Sequence, residues 1–213
     1  MLVGPKWAGS CEAVQMHTDG LSEPQRRILT AAKAVFGAHG YRGGSLNEVA
    51  KQSGYTRAGL LHHYPSKEAI LLALLELRDE RLHVLRDPAT DDRGIMEVLA
   101  EFPASVALIL EDRVLIQLAH GLTAEAAHPD HPARAWAARR HQLLRDMLGA
   151  AVRRSIERGE LAADTDADAL AAVILGAVEG VEAQWLVNPA VDPVRCAEEM
   201  VALARALVGT ART

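Results

Sequence analysis

The sequence predicts an all-α protein: an amino-terminal three-helix unit containing a helix-turn-helix, joined by a long fourth helix to a larger carboxyl-terminal helical domain. Three observations predict it. The 213-residue chain is 49% hydrophobic but has only 3 Trp, 3 Tyr and 2 Phe, so Ala and Leu dominate. No stretch sustains the alternation of a half-buried strand, whereas apolar positions recur at helical spacing. Prolines, glycines and Ser or Thr caps punctuate the periodic segments.

Ile28, Ala32, Val35, Phe36 and His39 follow an i, i+4, i+7, i+8, i+11 pattern, which predicts a first helix from Pro24 to His39 ended by Gly40. Ser45 and Glu48 have capping-box spacing and start a second helix that ends at Gly54. Thr56 caps a third, from Arg57 to about Tyr64; Pro65 stops it, and Ser66 caps a fourth from Lys67 to about Arg86. Breaks at Pro103, "HPDHP", "RGELAAD" and "NPAVDP" divide the rest. They predict helices near 93–101, 106–126, 132–157, 167–187 and 193–208, with Pro132 and Pro193 in first turns and Asp192 as a cap. Residues 1–20 read as a loose tail without a continuous apolar segment, 21–67 as the helix-turn-helix domain, 67–86 as the connecting helix and 87–213 as the larger domain.

Charge separates these parts. The net charge is −5, but Ser22 to Lys67 holds seven Lys and Arg against two Asp and Glu, a local +5. A polyanion would dock there. The longest uncharged apolar runs, such as Ala169 to Val178, are bounded by Asp168 and Glu179 and are too short for a membrane span. Cys11 and Cys196 are far apart and form no CxxC, so a reducing, cytoplasmic setting is expected.

The stretch "EVAKQSGYTRAGLLHHYPSKEAI" has the requirements of a helix-turn-helix. Ala50 is small enough for two helices to cross, Gly54 tolerates positive φ in the turn, and Leu60 is an apolar anchor. With Leu60 inside, Arg57, Ala58, Leu61 and His62 point outward, as on a helix that enters a major groove. Ser45, Thr56, His63, Tyr64 and Lys67 complete the predicted DNA-binding set. Thr56, Tyr64 and Lys67 are assigned to phosphates, and Arg57, Ala58 and His62 to bases.

The first 85 or so residues resemble the DNA-binding domain of the TetR family of bacterial regulators, through "RRILTAAKAVFGAHGYRGGSLNEVAKQSGYTRAGLLHHYPSKEAIL", including the "GY" at Gly40 and Tyr41 and the "YPSKEAIL" exit. The family often has Tyr where Leu61 stands, as a phosphate contact. Leu61 cannot donate that bond, though it could touch a thymine methyl. "AEAAHPDHPARAWAARR" and "GAVEGVEAQWLVNPAVDP" are similar to the ligand-binding and dimerisation domain of the AcrR/BetI-like branch. The resemblance implies a homodimeric repressor released from double-stranded operator DNA by a small-molecule effector, with the last two helices pairing across a two-fold axis.

The residues add candidates to that plan. Ala172, Gly176 and Gly180 recur every four positions, a smooth stripe for close helix approach. Val194, Ala197, Met200, Val201 and Ala204 give the last helix an apolar face, and both sets are expected at the dimer interface. Phe102, His120, Trp136, His141 and Trp185 are candidates to line an effector pocket, with Glu179, Glu182 and Gln184 for polar selectivity. The two Trp with nearby carboxylates would suit a cation.

The alternative from another class is a helical metal-dependent enzyme or metal sensor using His120, His128, Asp130 and His131. The prolines of "HPDHP" make a stiff loop, unlike the i, i+4 His pair of a zinc helix. GxGxxG, GxxxxGK[ST] and GxSxG are absent, so neither a cofactor nor a catalytic residue is expected.

Overall fold

The computed structural model describes residues 20–80, 91–131 and 133–210; residues 1–19 of the predicted tail, residues 81–86 of the connecting helix and Pro132 lie outside them. Among the described residues the chain is helical, without a strand. The first four helices are α1 (Glu23–Gly43), α2 (Leu46–Ser53), α3 (Arg57–His63) and α4 (Lys67–Glu80). They are followed by α5 (Ile95–Ala100), α6 (Phe102–Leu110), α7 (Arg113–Glu125), α8 (Arg134–Glu157), α9 (Ala167–Val187) and α10 (Pro193–Thr210).

Local chemistry accounts for the boundaries. Gly40 has φ 69° and breaks α1 as expected, but the chain then takes one more turn, held by Gly44 N–H donating to the Gly40 carbonyl (3.0 Å). Ser45 Oγ accepts from Glu48 N–H (3.1 Å), while the Glu48 carboxylate faces His39 Nε2 at 3.3 Å. Gly54 is left-handed (φ 77°), a conformation that glycine adopts without the Cβ clash. Thr56 Oγ1 accepts from Gly59 N–H and Ser66 Oγ from Ala69 N–H, both at 3.1 Å, which starts α3 and α4.

The larger half departs from expectation at Pro103 and near residue 111. Pro103 begins α6 instead of ending a helix, because a first turn has no use for its missing N–H. The predicted helix 106–126 is two, α6 and α7. Asp112 restarts the chain, its Oδ1 accepting from Leu115 N–H (3.3 Å). Asp192 caps α10 as expected, accepting from Val194 and Arg195 N–H at 3.0 and 3.1 Å.

Two hydrophobic cores form, and they do not follow the sequence division. The first unites α1 to α4 with Leu115, Leu118 and Leu122 of α7 and Trp136 and Ala137 of α8. The second joins α5, α6, the rest of α8, α9 and α10 around Val98, Val106, Leu148, Ile174 and Val201. Leu71, Leu74 and Leu75 of α4 are fully buried in the first core, each contributing about 1.5–3 kcal/mol of hydrophobic stabilisation. The amino-terminal unit is therefore joined to α7 through α1 and α4.

Candidate nucleic-acid interface

Leu60 is completely buried and fixes the roll of α3. Arg57, Ala58 and His62 are consequently exposed, and Leu61 and His63 are half-buried. Ser45 and Thr56 are exposed at the starts of their helices; each hydroxyl oxygen accepts a backbone bond and keeps its hydrogen to donate. His63 lies edge-on to Tyr55 (5.9 Å between ring centres), and Arg27 of α1 sits over the other side of the turn, 5.4 Å from the Tyr55 ring. The sequence reading missed Arg27. Its place beside the α2–α3 turn depends on how α1 crosses α2, which α1's own periodicity does not contain.

Tyr64 requires a correction. It caps α3 with extended backbone, its N–H donating to the Leu60 carbonyl (3.0 Å), and is only 7% exposed. Its hydroxyl is buried without a hydrogen-bond partner, and burial pushes its pKa up to about 12. It belongs to the core beneath α3 and presents nothing to a phosphate. Lys67 is half-buried, its Nζ 4.6 Å from the Tyr41 ring centre and donating to the Arg42 carbonyl (3.3 Å). Burial draws its pKa below the ordinary lysine value. The Tyr41 hydroxyl donates to Glu68 Oε1 at 3.2 Å, so the GY turn and the start of α4 are one bonded unit.

The effector candidates divide. Phe102, Glu179 and Glu182 line a cavity between α6, α8 and α9. His120 adjoins it, 2.9 Å from Glu182 Oε2, and His141 lies 3.2 Å from Glu179 Oε1. The other three lie elsewhere. Trp136 is buried in the first core, because the start of α8 packs towards α7 and is tied to α4 by Arg140 and Asp79. Gln184 is exposed, and Trp185 is already covered by Arg113, whose guanidinium carbon is 4.6 Å from the ring centre. The two Trp thus form no cage for a cationic ligand.

The interface candidates divide as well. Ala172, Gly176 and Gly180 are exposed, with open space where a glycine Cβ would point. Val173 (67% exposed), Val187 (88%) and Leu203 (62%) extend this apolar surface. Ala197 and Val201 instead are buried in their own second core, and Val194, Met200 and Ala204 pack partly against it. The apolar face predicted on α10 turns inward, since periodicity reveals a face but not its partner. By length and composition alone, α9 is also long and apolar enough to cross a bilayer.

His128, Asp130 and His131 do not assemble with His120. His128 Nδ1 accepts from Asp130 N–H within the turn (3.4 Å), and His131 Nε2 faces Glu125 at 3.4 Å. Among the described residues, no group of three or more His, Cys, Asp or Glu is placed to hold a metal.

Comparison with known proteins matches this architecture at both ends. The family model described as bacterial regulatory proteins of the tetR family matches residues 28–74, and that for the tetracyclin repressor-like C-terminal domain matches residues 118–187. The HTH-type transcriptional regulator RutR of Escherichia coli (strain K12) is 31% identical over 67 residues, so the match spans about a third of each chain (32%). The uncharacterized HTH-type transcriptional regulator YdgC of Bacillus subtilis (strain 168) is 24% identical over 85% of this chain and 90% of its own. Among solved structures, Salmonella enterica GusR superimposes with a TM-score of 0.70 at 26% identity, over 89% of this chain and 98% of its own. SmeT, the repressor of the Stenotrophomonas maltophilia multidrug efflux pump SmeDEF, shares the fold with a TM-score of 0.68 at 24% identity, over 84% and 89%. Helix-turn-helix and carboxyl-terminal domain are thus matched by models of one family, and the chain belongs to the TetR family of bacterial regulatory proteins.

Proposed function

We propose that this protein is a dimeric transcriptional repressor that binds a palindromic operator through α3 and is released by a small molecule held in its larger domain. The observation that carries the reading is the outward face of α3. Arg57, Ala58 and His62 stand exposed above a fully buried Leu60, in the segment where the basic charge is concentrated. Such a face can enter a major groove, Arg57 reading base edges while Thr56, Ser45 and Lys67 hold phosphates. Residues 21–67 are the DNA-binding unit, 67–86 the connector and 87–213 the effector and dimerisation unit.

Dimerisation supplies the second recognition helix that a dyad operator needs. The exposed stripe of Ala172, Gly176 and Gly180, extended by Val173 and Val187, is the surface we assign to it. A membrane is the poorer partner for α9, because Glu179 and Glu182 on the same helix are engaged by Arg140 and His120. The setting is then cytoplasmic. Selection of bound sites from random duplex DNA, followed by footprinting, tests the whole reading. The expected result is a palindrome with half-site centres about 34–36 Å apart, or a multiple of that. Binding without sequence preference counts against it.

A further inference from the structure

The cavity between α6, α8 and α9 continues into a polar recess, since both are lined by Arg140, Glu179 and Glu182. Its body is apolar, walled by Phe102, Val106, Met147 and Leu175, the kind of lining small-molecule sites carry. The recess contains Arg78 of α4, only 4% exposed.

The nearest carboxylates stand off from Arg78: Glu182 Oε2 is 3.6 Å from Nη2 and Asp79 Oδ1 is 3.7 Å from Nη1. Both are engaged elsewhere. Glu182 Oε2 is bonded to His120, and Asp79 Oδ1 accepts from Arg140 Nε at 3.0 Å. Glu179 in turn takes Arg140 Nη1 (2.9 Å) and His141. Arg78 Nε and Nη1 are left buried with no hydrogen-bond partner. A buried, unsatisfied guanidinium donor is costly, and an anionic oxygen acceptor such as a carboxylate satisfies it with a charge-assisted bond.

We infer that the effector is an amphipathic organic anion, its carboxylate accepting from one of the unpaired Arg78 donors, Nε or Nη1, and its apolar chain lying between α6, α8 and α9. A cation is disfavoured, since the carboxylates are taken and the unpaired atoms are donors. The inference rests on the regulatory reading above and adds its ligand class and lever. Arg78 lies on the same helix as Lys67, so an anion that repositions Arg78 acts on the element that ends at the DNA face.

The test uses the full chain without DNA, titrated calorimetrically with dodecanoate, dodecanol and dodecyltrimethylammonium below their micellar concentrations. Dodecanoate is expected to bind at least ten times more tightly than the other two. Arg78→Met is expected to reduce it to the level of dodecanol without changing dodecanol itself, and Val106→Trp, which fills the cavity, to weaken both. Absent dodecanoate binding, equal affinity for all three, or an unchanged Arg78→Met overturns the inference. Should Arg78→Met not fold, the three-ligand series and Val106→Trp still decide. Dodecanoate that binds as expected but leaves operator affinity unchanged refutes the lever, whereas failure of the unliganded protein to select an operator refutes the regulatory reading alone.

Discussion

Lys33 of α1 donates from Nζ to Oδ2 of Asp112, the residue whose Oδ1 caps α7. This bond joins the first helix of the DNA-binding unit to the helix that carries His120. Packing tightens the joint: a Cβ on Gly37 would lie 2.9 Å from Val114 Cγ1. With the first core shared between α1, α4 and α7, the proposed function expects movement at the effector cavity to reach the recognition helix through α1 and α4. A 100-fold loss of operator affinity then needs only about 2.7 kcal/mol of preference for the DNA-incompetent state.

Removing either partner of this pair has unequal effects. Lys33→Met leaves a carboxylate in a site 6% exposed, and is expected to lower the unfolding free energy by about 1–3 kcal/mol. Asp112→Asn should cost less, because asparagine keeps the capping oxygen and the Lys33 side chain, 23% exposed, can turn to water. Urea denaturation of the two variants measures this, and a more damaging Asp112→Asn contradicts the assignment.

On DNA, Lys67→Ala is expected to weaken operator and random sequences alike and to lower the salt slope by about one, as loss of one phosphate contact does. Arg57→Ala should also relax sequence preference, by about 1–3 kcal/mol of discrimination at the base it reads. Binding isotherms at several salt concentrations separate the two. Equal losses on both DNAs for both variants reject this division of roles.

Tyr64→Phe removes a buried hydroxyl that bonds to nothing. It should leave operator affinity within twofold and leave stability unchanged or raise it by up to about 1 kcal/mol. A tenfold loss of DNA affinity at unchanged stability would restore Tyr64 to the phosphate set.

Gly176→Arg has room for its side chain in the isolated protomer. It is expected to give a folded monomer by sedimentation and circular dichroism, with operator affinity reduced at least 100-fold through loss of the second half-site. The effector should release wild-type protein from DNA as a dimer, and operator should weaken effector binding by the same factor by which effector weakens operator. Monomers appearing on release contradict this mechanism.

Sequence alone determined what is local. The left-handed Gly54, the Thr56 and Ser66 caps, the buried Leu60 and the basic charge around them follow from short-range chemistry, and these identify the helix-turn-helix. Tertiary structure decided which apolar face meets which partner. Ala197 and Val201 turned inward while Ala172 and Gly176 stayed open, and Trp136 joined the DNA-binding core instead of the effector cavity. It also brought Arg78 of α4 to the carboxylates of α9, about a hundred residues along the chain. Periodicity specifies a stripe on one helix, whereas a cavity, a buried ion pair or an interface depends on the relative placement of several helices, which is fixed only when they pack together.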